Sequence, residues 1–400
     1  MGVSASRDGG GRGGRFRRAP ASRGGPLQKW KLETRSASGK RMWWYRGVSF
    51  VTPLMVAILA LNAVGNAPGG AVGETIRLTF GTRFGVQEFT VLASPLILTG
   101  AAVAVGLRAN LWNVGADGQL FAGAWAATAV AYAAPHLVGW LLIPLLLITS
   151  AVGGILWILI PALLRAYIGV SEILTTLMFN FVAYLATDYF ATGPWRNPQS
   201  IGGAIMSRPI QPQAWLSNVS PGGWSVSVGL VIALACVVGV GIALRRSLFG
   251  YRAMIIGTSA RAAAYAGMNV RRTTLRILIL SGAVAGLAGG VELLADVHSF
   301  SSSLSNDTGF IGIGIGVLAG GSFLGVSLIG VVIAAVLALS ESAQIFGVPS
   351  ESVFLIIGAM LLATAMGEAA ARYRLVRRAP SSGKAPDCGL TRAKDGSGQS

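Results

Sequence analysis

A short polar segment, residues 110–119 with the sequence NLWNVGADGQ, interrupts two long apolar runs. Its amides and its acid, Asn113, Gln119 and Asp117, can donate or accept hydrogen bonds, and its two glycines free the backbone to leave the helical conformation. Beside hydrocarbon, such groups are tolerated only where they line a cavity or are buried against protein. Unwound helices of this kind expose polar groups to solutes in transporters. We therefore predict that these three side chains border a path for a small polar solute, with a simple turn outside the membrane as the alternative.

A second polar pattern lies in the apolar run near 171–191, where a polar side chain recurs at every fourth position. The row consists of Glu172, Thr176, Asn180, Tyr184 and Asp188. Neighbours in this row share one helix face, and membrane helices turn polar faces to the bundle interior. We predict Asn180 as a fourth residue of the solute path. Hydrogen bonds that only fix helix packing explain Thr176 and Tyr184 at least as well.

Other kinds of chemistry are not indicated. The sequence contains neither a G-x-x-x-x-G-K-[ST] loop for the phosphates of ATP nor an H-E-x-x-H metal motif. Two histidines, His136 and His298, and two cysteines, Cys236 and Cys388, are too scattered for a metal site or a disulfide framework. We therefore predict no catalytic residue, no metal site and no cofactor bound by this chain, which is not expected to be an enzyme.

The composition indicates the elements that must position these residues. With 53% hydrophobic and 12% charged residues and a mean hydropathy of +0.62, the chain is unlike a soluble globular protein. Apolar runs long enough to cross hydrocarbon predict an all-α, polytopic integral membrane protein with about ten transmembrane helices. They lie near 47–65, 89–107, 119–134, 137–164, 171–191, 225–244, 276–295, 310–320, 322–340 and 352–367. Because the run at 119–134 is marginal and the run at 310–320 is short, we expect a re-entrant or broken segment near 108–119 or 310–325.

The net charge of +17, from 32 Lys and Arg against 15 Asp and Glu, follows a membrane topology rather than a nucleic-acid-binding surface. Basic residues fall mostly in alternate gaps between the apolar runs, which is how membrane proteins encode orientation. The exceptions are Arg77, Arg83, Arg196 and Arg208. We predict a transmembrane domain at 47–370 in contact with membrane lipid, and two disordered cytoplasmic tails, a basic one at 1–46 and another at 371–400.

Residues 245–275 form a basic, alanine-rich excursion between two apolar runs, which we call the docking loop. Within it, residues 258–269 (TSARAAAYAGMN) favour a short helix, with Thr258 or Ser259 as N-cap and Gly267 as its stop. Alanines with a single tyrosine make a small, shallow knob. This favours contact with a soluble cytoplasmic partner over insertion into lipid.

Glycines at four-residue spacing predict close helix packing. They are Gly282, Gly286 and Gly290 in one apolar run, and Gly312, Gly316 and Gly320 in the next. Small residues at this interval let helix backbones approach each other closely, so we expect a structural role for both sets.

The chain resembles the permease subunits of bacterial ABC importers of the general nucleoside type over roughly residues 45–370. The stretches that carry the likeness are NVGADGQLFAGAWAA, GVSEILTTLMFNFVAYL, GTSARAAAYAGMNVRRTTLRILILSGAVAGLAGGVELL and FIGIGIGVLAGG. The first stretch in that family usually contains N-x-G-x-E-G-Q, and Asp117 replaces the glutamate here. The matching positions are Asn113, Gly115, Gly118 and Gln119.

A second motif of the family, A-x-x-A-G-x-N, is met in the docking loop. The resemblance implies that this loop engages a cytoplasmic ABC ATPase, which binds ATP in a separate subunit. The coupling residues that it implies are Ala262, Ala263, Ala266, Gly267 and Asn269. It further implies a second, homologous permease subunit, an extracytoplasmic substrate-binding lipoprotein and a place in the bacterial inner membrane, with both termini cytoplasmic.

Two alternatives to nucleoside import stay open. Permeases for sugars and for branched-chain amino acids are distant relatives of the nucleoside type, so these solutes are alternative substrates. The residues alone also allow an ion-coupled secondary transporter, in which Glu172, Asp188 or Glu292 would bind the coupling ion.

Overall fold

The computed structural model describes residues 71–199, 206–301 and 303–346, a five-residue strand nearer each terminus, and the helical positions 358, 359, 362, 363 and 366. The apolar run predicted at 47–65, most of the run at 352–367 and most of both tails lie outside these described residues. The described part is almost entirely helical, which confirms the all-α prediction.

The helices before the long loop at 193–227 are, in chain order, α1 (Ala71–Phe80), α2 (Arg83–Leu107), α3 (Ala116–Ala133), α4 (Gly139–Leu163) and α5 (Glu172–Thr192). Those after it are α6 (Val228–Arg246), α7 (Leu248–Thr258), α8 (Ala260–Tyr265), α9 (Val270–Glu292), α10 (Thr308–Leu318) and α11 (Phe323–Gln344). A π-helical turn extends α4 to Ile168, and another extends α9 to Val297.

Six of the described helices, namely α2, α4, α5, α6, α9 and α11, are long and apolar enough to cross a membrane. Helix α10 is apolar but has only 11 residues, and α3, with 18 residues, has Asp117 in its first turn. These two are the elements that the sequence marks as short or marginal. The structure therefore confirms a polytopic helical protein, whereas the number of about ten crossings stays a prediction.

Helices α2 and α9 form the centre of the bundle. In the most apolar 18-residue stretch of each helix, 89% of the residues of α2 and 78% of those of α9 are buried. The corresponding shares are 22% for α5 and 28% for α6. Large apolar side chains on the outer helices, such as Leu156, Leu185 and Val238, stay exposed. Lipid tails are as apolar as these side chains, so the exposed faces are suited to contact with the membrane.

Glycines bring α4 and α9 into direct backbone contact. A methyl group added to Gly154 would lie 2.2 Å from the carbonyl oxygen of Gly282 and 2.7 Å from the Cα of Gly286. Gly312 and Gly316 of α10 lie equally close to α2. Only glycine allows such an approach, so the packing role predicted for Gly282, Gly286, Gly312 and Gly316 is confirmed. Gly320 differs, because it lies in the turn after α10 with a φ of 57°.

The described strands are short and lie at the edges of the helical domain. Strand β1 (Trp30–Thr34) precedes the helices, and β2 (Asn218–Val219) pairs with β3 (Val226–Ser227) just before α6. Strand β4 (Tyr373–Arg377) follows the helices and pairs antiparallel with β1. Both β1 and β4 fall within the predicted tails, where each strand supplies backbone partners for the other. The disorder of the tails stays a prediction.

Candidate functional site

The polar segment predicted to break the helices lies between α2 and α3 and is mostly buried, although Asn110 and Trp112 are exposed. Asn110 takes the left-handed conformation with a φ of 54°, and residues 111–115 have no regular structure. Asn113 is fully buried and contacts Ser281 in the middle of α9. The segment is therefore a break inside the bundle rather than a turn outside it.

Asn113 and Gln119 bind each other across the first turn of α3. The Nδ2 of Asn113 donates to the Oε1 of Gln119, and the Nε2 of Gln119 donates to the Oδ1 of Asn113, both at 2.8 Å. Asn113 also donates to the hydroxyl of Ser281 at 2.7 Å and accepts from the N–H of Gly115 at 3.1 Å. Ser281 in turn donates to the carbonyl of Ala102 in α2 at 2.6 Å. The amide of Asn113 thus has its full set of partners within the chain, and it ties α2, α3 and α9 together at the break.

Asn180 of α5 binds the same break from the other side. Its Oδ1 accepts from the N–H of Gly118, and its Nδ2 donates to the carbonyl of Val114, both at 2.9 Å. The first N–H groups of a helix lack partners within the helix, so this side chain satisfies one of them at the start of α3. Thr176, one turn earlier, donates to the carbonyl of Glu172 in its own helix at 2.6 Å. The polar row of α5 therefore serves two purposes, since Asn180 holds the break and Thr176 bonds only within its own helix.

Asp117 connects the break to a second interruption, at residues 298–307 between α9 and α10. Its Oδ1 accepts from the hydroxyl of Ser305 and from the N–H of Gly309, the latter at 3.1 Å. Gly309 lies in the first turn of α10, where free N–H groups and the helix dipole favour a carboxylate. A methyl group on Gly309 would lie 2.3 Å from the Cα of Asp117, so the two helix starts touch. We call this meeting point of α3, α5 and α10 the junction.

All four residues predicted to border a solute path lie at the junction, and each is at most 7% exposed. They are Asn113 (0%), Gln119 (1%), Asn180 (5%) and Asp117 (7%). In this conformation the three amides bind the chain itself. Their hydrogen bonds connect the break and the start of α3 to α5 and α9.

The acids considered for ion coupling lie in different places. Glu172 forms an ion pair with Arg165, with the Oε2 and Nε atoms 3.1 Å apart, and its Oε1 accepts from the N–H of Trp112 at 3.3 Å. Asp188 lies near the other end of α5, and Glu292 is buried at the end of α9. The structure therefore does not unite Glu172 and Asp188 in one site.

A cluster of aromatic rings, none of which is predicted from the sequence as part of the solute path, packs beside the junction. Trp157 packs edge to face against Trp125 and Phe179, with ring centroids 5.2 and 5.5 Å apart, and Trp125 contacts Phe300 at 6.2 Å. The indole Nε1 of Trp157 is buried and has no hydrogen-bond partner among the described residues. A methyl group on Gly118 would lie 2.9 Å from that nitrogen, so the donor lies directly against the junction. No local pattern predicts this group, because its rings come from α3, α4, α5 and the 298–307 segment.

The docking loop folds into α7 and α8. Ser259 caps α8 by accepting from the N–H of Ala262 at 3.2 Å, and Asn269 caps α9 by accepting from the N–H of Arg272 at 3.0 Å. Gly267 lies between these helices with a φ of 76°, a conformation that glycine adopts at little cost. The predicted short helix, with a serine cap and a glycine stop, is confirmed.

The predicted coupling residues of the loop differ in exposure. Ala262, Ala266, Gly267 and Asn269 are exposed, but Ala263 is fully buried and supports the helix from within. Tyr265, on the same short helix, is 93% exposed. A partner that docks on α8 would therefore meet Tyr265 and the small residues after it, and not Ala263.

The docking loop packs against the turn that leads into the break. A methyl group on Gly257 of α7 would lie 2.7 Å from the carbonyl oxygen of Arg108 and 3.1 Å from the Cα of Ala109. These residues directly precede the buried segment of the junction. Because packed protein interiors transmit displacements, a movement of α7 would act on the break through this contact.

Comparison with known proteins identifies relatives over most of the chain. Residues 85–365 match the family model described as "Branched-chain amino acid transport system / permease component". The chain is 33% identical to a glucose ABC transporter permease protein of Haloferax volcanii, over 82% of this chain and 90% of the relative. It is 32% identical to a guanosine ABC transporter permease protein of Bacillus subtilis, over 71% of this chain and 81% of the relative. A nucleoside ABC transporter permease protein of Lactococcus lactis is 26% identical, over 78% of this chain and 88% of the relative.

The family match includes the break, the junction and the docking loop. The family and these relatives are permease components of transport systems and not enzymes. The likeness to ABC importer permeases seen in the sequence is therefore confirmed, and the chain belongs to the family of permease components typified by branched-chain amino acid transport systems.

Proposed function

We propose that this chain is a permease subunit of an ATP-driven importer and forms part of the path for nucleosides or similar small polar solutes. The contact of Gly257 with Arg108 and Ala109 is the observation that carries the proposal. A permease can respond to nucleotide bound elsewhere only through contacts that differ between its two states. This contact joins the loop that would meet an ATPase to the buried junction.

The solute path runs past the junction. Polar groups inside a membrane are costly and are concentrated where solutes pass, and interrupted helices favour such sites. Asn113, Gln119 and Asn180 act as positioning residues that hold the starts of the short helices. When α3 and α10 move apart, the carboxylate of Asp117 is free to accept a hydrogen bond from a solute hydroxyl. The indole N–H of Trp157 is then available to donate a hydrogen bond to the solute.

The choice of nucleosides rests on the relatives named for guanosine and for nucleosides. It also rests on the resemblance of residues 113–119 to the N-x-G-x-E-G-Q motif. A nucleoside offers ribose hydroxyls and a base with both donors and acceptors, which suits a weak site with few fixed charges. Sugars are the second candidate, because the relative named for glucose is 33% identical over 90% of its own length. Both solutes present a ring rich in hydroxyl groups.

The family implies an ATPase and a substrate-binding component. The proposal adds a second, homologous permease subunit and makes the binding component an extracytoplasmic lipoprotein. ATP is bound by the ATPase, so this chain carries no cofactor.

Both termini are placed in the cytoplasm of a bacterial cell, with the protein in the inner membrane. The pairing of β1 with β4 supports one side for both tails, and the basic docking loop supports the cytoplasmic side.

Uptake in cells tests the substrate class. A strain that lacks this chain is complemented with the wild-type chain, and uptake of labelled guanosine is measured with unlabelled nucleosides, glucose or leucine as competitors. We expect complementation to restore guanosine uptake and only nucleosides to compete. Restored uptake of glucose that guanosine does not inhibit would instead assign the chain to sugars.

A further inference from the structure

An apolar groove of about 180 Å³ lies on the outside of the bundle between α6 and α11. Val238 and Ile242 line it from α6, and Phe323 and Leu324 line it from α11. Gly241 forms part of its wall, and a methyl group added to Gly241 would lie 3.3 Å from the ring of Phe323. The glycine therefore keeps a space between the two helices that a larger side chain would fill.

The groove opens away from the protein. Val238, Ile242 and Leu324 are 56%, 50% and 68% exposed, so no part of the described chain covers them. In a membrane helix such a surface faces hydrocarbon. The ligand best suited to this part of the groove is therefore an acyl chain.

One end of the groove is cationic. Arg245 lines it, and the Cζ of Arg108 lies 5.7 Å from the centroid of the Phe323 ring, which is also part of the lining. The Nε of Arg108 is buried without a hydrogen-bond partner. Neither arginine forms an ion pair with another described residue. Burial, and to a smaller extent the like charge of Arg245, lowers the pKa of Arg108. Without an ion-pair partner among the described residues, the two arginines leave this end of the groove with an excess of positive charge.

We propose that the groove is a binding site for an anionic phospholipid, with one acyl chain between α6 and α11 and the phosphate held by Arg108 and Arg245. A phosphodiester supplies what both arginines lack. Its negative charge relieves their mutual repulsion, and its oxygens accept from guanidinium N–H groups in the geometry that arginine favours. Basic pockets at the ends of transmembrane helices are suited to anionic headgroups for the same reason.

The proposed lipid site lies next to the contact between the docking loop and the turn at Arg108. Arg108 begins the turn that contacts Gly257 of the docking loop. A phosphate bound to Arg108 would therefore be held by a residue that itself contacts α7. A bound anionic lipid stabilises that turn and with it the contact between loop and junction.

Photo-crosslinking tests the site in the full-length chain, purified with any subunits that accompany it. The protein is placed in vesicles that contain either phosphatidylglycerol or phosphatidylcholine with the same diazirine-bearing acyl chain. Crosslinked peptides are then mapped by mass spectrometry. We expect the α6 and α11 peptides to be labelled about fivefold more by the anionic lipid. Arg245→Gln should lower this labelling to the level of phosphatidylcholine.

Arg246→Gln is the matched control, because it removes the same charge from the next residue of α6, which is exposed and does not line the groove. It should leave the labelling unchanged. Leu324→Trp, at an exposed position, should fill the groove and lower labelling by both lipids. Arg108→Gln should also lower labelling by the anionic lipid. If this variant does not fold, as judged by size-exclusion chromatography, Arg245→Gln and Leu324→Trp decide the result.

Equal labelling by the two lipids would overturn the proposal and leave the groove as ordinary lipid-facing surface. Absence of label from α6 and α11 in the assembled transporter would also overturn it, since another subunit would then cover the groove. An equal loss of labelling in Arg245→Gln and Arg246→Gln would show attraction to the whole basic surface instead of a site.

Discussion

At the scale of single residues, the junction is held by hydrogen bonds between groups that lie far apart in the chain. Asn113, Gln119 and Asn180 bind other parts of the chain there. Asn180 binds groups 62 and 66 positions away, and Ser305 binds Asp117 from 188 positions away. Helix packing creates such pairs, and no local pattern encodes it.

Replacement of Asn180 tests whether the junction matters for transport. Asn180→Ala leaves the buried N–H of Gly118 without a partner, at a cost of about 1–3 kcal/mol, and also unpairs the partly buried carbonyl of Val114. We expect slower or less selective nucleoside uptake and a lower thermal unfolding midpoint. Gln119→Ala should act in the same direction, because it removes both hydrogen bonds between Gln119 and Asn113.

Thr176→Val is the control, since it removes only a hydrogen bond within α5, worth about 0.5–1.5 kcal/mol. Its effect on uptake per folded molecule should be smaller. Wild-type uptake by folded Asn180→Ala protein would exclude the junction from the path.

The contact between α3 and α10 can be tested with one methyl group. In Gly309→Ala the new Cβ would lie 2.3 Å from the Cα of Asp117, so the two helix starts must separate. We expect uptake to fall strongly while the protein still reaches the membrane. Gly239→Ala is the matched change on α6, where nothing lies within 4 Å, and it should transport normally. If both variants transport equally well, the junction does not need this close contact.

At the scale of elements, the sequence predicted α8 and its caps but missed α7. Gly250 and Gly257 lower the helix propensity of α7, and both are required by tertiary contacts. A methyl group on Gly250 would lie 1.8 Å from the carbonyl oxygen of Leu244, and Gly257 packs on Arg108. Packing therefore stabilises a helix that local propensity does not indicate.

The exposed side of α8 should bind the ATPase. Tyr265→Ala removes its most exposed large side chain, and Gly267→Ala forces alanine into a left-handed conformation at a cost of about 1–2 kcal/mol. We expect both variants to reduce the amount of ATPase that co-purifies with the permease, and to reduce uptake. Tyr184→Ala, at a 53% exposed position on α5, is the control and should keep the ATPase. Normal co-purification in both loop variants would place the ATPase contact elsewhere.

At the scale of the whole molecule, composition and apolar runs were sufficient for a polytopic helical protein. They could not give the crossing number, because α3 and α10 are buried by neighbouring helices rather than by lipid, and burial by protein relaxes the length and polarity that a crossing requires. Charge distribution predicts the orientation, which the fold by itself does not contain.

Cysteine labelling tests that orientation. In a chain with Cys236 and Cys388 replaced by serine, single cysteines are placed at Val219 in the long loop and at Arg261 in the docking loop, both exposed. An impermeant thiol reagent on intact cells should label Val219→Cys only. Arg261→Cys should react after the cells are opened. Labelling of Arg261→Cys on intact cells would reverse the proposed orientation.

The energy source is the most direct test of the account. The assembled transporter is reconstituted in proteoliposomes with the substrate-binding component outside, and labelled guanosine uptake is measured with and without ATP in the lumen. We expect uptake that requires ATP and persists when ionophores collapse the proton and sodium gradients. Uptake driven by either gradient without ATP would contradict it and would identify an ion-coupled transporter.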